Sequence, residues 1–236
     1  MVDIHQVLQQ QWQQAQAAAQ QAIMSEQMGN LLWAGQCYEN ALACMEHAMG
    51  IARQYDLQVG DNRLFHYAFC HFNAARVKAA AGWRHETSPH LTQALQALQQ
   101  AIVLNPHAGD YHAGIGAVFL AQENVRQAIP AFKQAVRLNP RDAWSHWILA
   151  AISMVQGNFL AAKQYYTTAA RLQPHLPSPW QYMPQHAEAP KRPEHGVASL
   201  PRPRDWFALI VNGLKLVNNG FTLAHRLMEP EPECVG

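Results

Sequence analysis

The sequence is short of charge, and what charge it has is not gathered anywhere. Lys and Arg number 17 and Asp and Glu 16 among 236 residues, for a formal net charge of +1. No run of cations forms a stripe that could follow phosphates, which argues against nucleic acid as the partner. The four cysteines (Cys37, Cys44, Cys70, Cys234) follow no disulfide-framework spacing and read as free thiols of a reducing compartment. Residues 1–20 lack the cationic start and apolar core of a secretory leader. No segment approaches the ~18 consecutive apolar residues of a membrane-spanning helix. The expected location is cytoplasmic. Catalytic signatures are missing as well: there is no glycine-rich phosphate loop, no nucleophile elbow and no HExxH. Glu46 and His47 are adjacent in a predicted helix and point to different faces, so they form no relay. The expectation is that the chain is not an enzyme and carries no cofactor.

What is present is a repeat. Leu104-Asn105-Pro106 returns as Leu138-Asn139-Pro140 and then as Leu172-Gln173-Pro174, with successive prolines 34 residues apart. Stepping back from each proline gives Ala101, Ala135 and Ala169, then Leu98, Phe132 and Tyr166, then Ala94, Ala128 and Ala162. Antiparallel helices approach closely only where side chains are small, which accounts for the alanines; the large residue between them fills the hole beside its neighbour. Proline, lacking an N–H, ends the second helix of each pair. Each pair buries its apolar face only against the next, so several must stack.

These residues resemble the tetratricopeptide repeat family. Gly116, Ala128, Phe132, Ala135 and Pro140 match five consensus positions of one unit. In the next, Gly157-Asn158-Phe159 resembles the family's inter-helix turn, ahead of Ala162, Tyr166, Ala169 and Pro174. Gly29-Asn30, Trp33, Tyr38, Ala41, Met45 and Ala48 fit an earlier unit, with Ala52-Arg53 closing its second helix. The resemblance implies an all-α helical-repeat solenoid of about four units, at residues 22–55, 62–108, 109–142 and 143–176. The second unit departs from the pattern, because Gly82 to Pro89 adds about seven residues to the turn. That insertion reads as a tolerated surface loop or as a partner contact through Trp83.

The ends fall outside the repeat. Residues 1–21 are expected to hold an N-terminal helix over 3–21, with Ile4, Val7, Leu8 and Trp12 on one side, that caps the array or lengthens the first repeat helix. Eight prolines between Pro174 and Pro203 mark a semi-rigid linker, placed at 177–204. An apolar helical segment follows at 205–228, interrupted by Asn212-Gly213 and Asn218-Asn219-Gly220, and then an acidic tail at 229–236. The apolar segment has three readings: it caps the last repeat, lies on a membrane surface, or docks into another protein.

The resemblance further implies that the first helices of the units line a concave face that binds extended peptides or helices. By register that face takes Glu26, Asn30 and Trp33 from the first unit and Phe69, Phe72, Asn73 and Arg76 from the second. Asp110, Ala113 and Ala117 come from the third, and Trp144, Trp147 and Ala151 from the fourth. Rings interleaved with amides suit a peptide. One subfamily grips acidic chaperone tails with a cationic clamp; Asn30 and Asn73 match its asparagines, but Glu26, Asp110 and Gly114 stand where cations are expected. The expected function is a non-enzymatic scaffold or assembly factor whose partner segment is neutral or basic. The alternative is a peripheral membrane adaptor tethered through 205–228, and self-association at the edge of the last repeat is a third reading. His66 and Cys70, four apart on one helix, could offer two metal ligands, but local sequence supplies no third.

Overall fold

A computed structural model describes residues 3–179. The linker beyond residue 179, the apolar segment 205–228 and the acidic tail, with the membrane and docking readings that rest on them, lie outside the described residues. Within them the chain is all helical, with no strand. Eight α-helices run in order: α1 Ile4–Gln27, α2 Leu31–Gln54, α3 Asp61–Ala80, α4 Thr87–Leu104, α5 Gly109–Ala121, α6 Val125–Leu138, α7 Ala143–Val155 and α8 Phe159–Leu172. They fall into two compact units, one holding α1–α4 and one holding α5–α8. In each unit consecutive helices pack as antiparallel pairs, α1 with α2 and α3 with α4, then α5 with α6 and α7 with α8.

The helix pairs are built on one turn chemistry. α1 ends in Gly29 at φ +78°, and α7 in Gly157 at φ +75°, both in the left-handed region where a side chain is penalised. In each case the following asparagine caps the next helix. Asn30 Oδ1 accepts from the Trp33 N–H at 3.1 Å, and Asn158 Oδ1 accepts from the Ala161 N–H at 3.2 Å. The α5–α6 turn repeats the arrangement with Asn124 as the cap, but Glu123 occupies the left-handed position at φ 60°. Packing then follows the small–large–small register. Ala34, Tyr38 and Ala41 are buried in α2, Ala94, Leu98 and Ala101 in α4, and Ala128, Phe132 and Ala135 in α6.

In the first unit the N-terminal segment lengthens the first repeat helix, one of its two readings, instead of forming a separate capping helix. No helix ends near residue 21: α1 runs unbroken to Gln27, because no breaker precedes Gly29. Its N-terminal half is held by α2, with Leu8 packed on Ala48 and Ala52, and Ile4, Trp12 and Ile51 around them. α1 is therefore the first helix of the first pair and Gly29-Asn30 is the turn within that pair. Asn30 and Trp33 consequently belong to the turn and to the second helix, not to a first-helix face. The expected insertion at 82–89 is also mostly structured. A single 3₁₀ turn, Arg84–Glu86, leads into α4 at Thr87, and Pro89 sits in the first helical turn, where its missing N–H costs nothing. Trp83 is half-exposed beside this turn.

In the second unit, Gly116 of α5 lies under the Phe132 ring of α6. A Cβ built there would come within 2.7, 2.8 and 2.9 Å of three ring atoms. The ring is fully buried, so it can move aside only by displacing its neighbours. Gly116→Ala is expected to lower stability by about 1–3 kcal/mol, read from urea or thermal unfolding. Trimming the ring as well, in Gly116→Ala/Phe132→Leu, should cost less than the two changes added separately.

Candidate interaction surface

In the first unit three of the sequence-predicted residues meet, but inside the protein. α1 brings Glu26, α2 brings Tyr38, and α3 brings Asn73 and Arg76. The Glu26 carboxylate pairs with the Arg76 guanidinium, and both side chains are almost fully enclosed. Arg76 also donates to Asn73 Oδ1 from Nε at 3.1 Å and from Nη2 at 3.0 Å. The Asn73 amide N–H donates onward to the Phe69 carbonyl at 3.0 Å. The Tyr38 hydroxyl donates to Glu26 Oε1 at 2.7 Å, and burial, with the Glu26 carboxylate adding to it, pushes the Tyr38 hydroxyl well above its ordinary pKa. Glu26, Asn73 and Arg76 thus satisfy one another across α1, α2 and α3, as buried charges must. They are a structural strut rather than an exposed lining.

The polar side of α3 is spent on that strut, and Phe69 and Phe72 remain partly exposed on the same helix. Trp33, by contrast, lies exposed near the α1–α2 turn, as do Met24, Met28 and Leu32 in the same stretch. Sequence register alone missed this, although the Gly-Asn signature that marks the α7–α8 turn also stands at Gly29-Asn30.

A second polar cluster ties α2, α3 and α4. Lys78 pairs with Glu39 at 2.7 Å and with Glu86 of the 3₁₀ turn at 3.2 Å. His90 Nε2 lies 3.3 Å from Glu39. The Nδ1 atoms of His71 and His90 are 2.9 Å apart, so one ring donates and the other accepts. Burial, reinforced by neighbouring His90, brings the His71 pKa down to about 4, against an opposing pull from Glu39. His66 is likewise lowered to about 4 by burial. The Cys70 thiol is pushed up to about 12 by burial, which leaves it a poor ligand beside His66. No group of three His, Cys, Asp or Glu side chains among the described residues is placed to hold a metal ion.

In the second unit the predicted tryptophans are not open either. Trp144 and Trp147 stack on α7, with centroids 5.5 Å apart and planes 10° apart. Trp147 is fully buried, and its indole N–H donates to the Pro177 carbonyl at 2.7 Å. Leu176 and Pro179 of the same segment are buried as well. After α8 the chain therefore turns back and covers Trp147 with its own backbone. Ala151 is buried too, whereas Asp110, Ala113 and Ala117 on α5 keep part of their surface. Asp142 caps α7 by accepting from the Trp144 N–H at 3.1 Å. Its carboxyl is held above the usual range chiefly by burial, with the Asp110 charge adding to it against the hydrogen bonds from Ser145 and Trp144.

Paired antiparallel helices with glycine turns and small–large–small packing define a helical-repeat protein. Residues 114–177, which span most of the second unit, match the family model of the tetratricopeptide repeat. That part of the chain is tetratricopeptide-repeat sequence. Repeats of this family generally mediate protein–protein interaction and are typically not enzymes. No curated protein matches the chain in sequence. No helix among the described residues is long and apolar enough to cross a membrane.

Proposed function

We propose that the protein is a non-enzymatic scaffold or assembly factor that holds a peptide or helix of a partner protein against the first helices of its repeats. The observation that carries this is on α3: Asn73 and Arg76 are turned inward and paired, while Phe69 and Phe72, three residues apart on the same helix, keep exposed ring surface. Rigid rings on a braced helix offer contact area at little entropic cost. The strut also changes the partner's expected charge. Glu26 is paired with Arg76 inside the unit, so it does not set the charge of a segment bound outside.

The test replaces both rings in the full chain, Phe69→Ser/Phe72→Ser, and compares affinity capture from the native source with that of the unaltered protein. Capture of the specific partners should fall at least tenfold while circular dichroism stays unchanged. Equal capture by a folded variant would sink the proposal.

A further inference from the structure

We infer that the polar cluster joining α2, α3 and α4 is a proton-operated latch. It holds the 3₁₀ turn and the first turn of α4 against α3, and it releases them when His71 and His90 are both charged.

The segment it holds has little else to fasten it. Between Gly82 and His90 no described side chain is buried, and Leu91 is the first that is. Backbone bonds shape the turn, from the Trp83 N–H to the Lys78 carbonyl at 2.9 Å and from the Glu86 N–H to the Trp83 carbonyl at 3.2 Å. A stretch with so few apolar contacts opens easily, so its attachment falls to polar side chains. These are Glu39 from α2, His71 and Lys78 from α3, Glu86 from the 3₁₀ turn and His90 from α4. Tyr67 borders the pair, its ring edge-on to His71 at 4.4 Å and its hydroxyl donating to Glu46 at 3.2 Å. His85 is exposed and lies 3.4 Å from Glu86.

The histidine pair limits how many protons the cluster can hold. The 2.9 Å between the two Nδ1 atoms has room for one proton. With both rings neutral, one donates and the other accepts. A first added proton is accommodated: His90 becomes charged, donates from Nδ1 to His71, and directs its Nε2–H to Glu39 at 3.3 Å. A second has no place. It would set N–H against N–H across the gap, beside the Lys78 ammonium, whose Nζ is already 3.1 Å from His90 Nε2. Three cations would then face the two carboxylates of Glu39 and Glu86. The buried His71 Nε2 has no hydrogen-bond partner, so the new charge would also go unsolvated.

Once the segment opens, water reaches both rings and they regain their ordinary proton affinity. The closed form binds fewer protons, so its advantage is full above pH 6.5 and fades as pH falls toward the folded value of about 4 for His71. What leaves is the short segment, because α1, α2 and α3 keep the Glu26–Arg76 strut. The α3 face around His71 is thereby uncovered in mild acid.

Hydrogen–deuterium exchange of the full chain, read by mass spectrometry and corrected for the intrinsic pH dependence of amide exchange, tests the latch at pH 7.5 and 5.0. Protection over residues 83–91 should fall at least about tenfold between the two, and at pH 5.0 should lie at least about tenfold below that of α2. In His71→Gln/His90→Gln, which keeps hydrogen-bonding groups but removes both titrations, the two pH values should agree within about twofold. Protection over 83–91 that ignores pH, that matches α2 at both pH values, or that still falls in the folded double variant overturns the latch. If the double variant does not fold, the two rings are titrated in the unaltered chain by NMR. Stepwise protonation, His90 before His71 by about one pH unit or more, supports the latch. Both rings titrating together near 6.5 overturns it.

Discussion

Arg76→Leu will destabilise the first unit by on the order of 3–5 kcal/mol, the cost of leaving a buried carboxylate without its counter-ion. Glu26 is enclosed between α1, α2 and α3, and its partners are Arg76 and the Tyr38 hydroxyl. Once the guanidinium is gone, one neutral hydroxyl cannot compensate the charge, and Asn73 loses both of its donors. Restoring neutrality should recover most of the loss, so Glu26→Gln/Arg76→Leu is expected to be more stable than Arg76→Leu alone. Denaturant unfolding of the three proteins checks this. If Arg76→Leu costs less than about 1 kcal/mol, the pair is not desolvated as described.

Mild acid is the second large effect. His71 and His66 each have a folded-state pKa of about 4, below the ordinary 6.5. The folded state therefore holds neutral imidazoles while the unfolded chain takes up protons first. Stability from this source is full above pH 6.5 and is lost progressively as pH falls toward 4. His71 is buried, so its share is on the order of 3 kcal/mol; His66 is partly exposed and contributes less. His90 and His112, lowered chiefly by burial, act in the same direction. Asp142, raised by burial, acts in the opposite one, so the net fall is smaller than the histidine sum. Urea midpoints measured from pH 7.5 to 4.5 should decline, and His71→Asn should flatten the curve. A midpoint independent of pH would show that these rings are solvated.

Much of the fold was legible because the repeat writes itself in residue size. Ala128, Phe132 and Ala135, spaced back from Pro140, announce a helix that packs closely, and that spacing recurs. The first pair was harder to place because its second helix is not closed by a proline. Without that stop, register places Asn30 on a helix face, although Gly29-Asn30 carries the same cap chemistry as Gly157-Asn158. The candidate surface was less legible than the fold. Register places Glu26, Asn73 and Arg76 near a common face, but it cannot say that an acid on α1 and a base on α3 are close enough to pair. Nor does a proline-rich stretch announce where it lies; the bond from Trp147 to Pro177 spans 30 residues and depends on where the chain turns after α8.

The bond between α7 and the segment after α8 also bears on how the second unit holds its end. Within that unit α6 packs on α7 and α7 on α8, so α7 is braced by its repeat neighbours on both sides. The fully buried Trp147 indole still needs an acceptor for its N–H, and the Pro177 carbonyl supplies it at 2.7 Å. The end of α8 therefore cannot fray without stranding a buried donor 30 residues back in the chain.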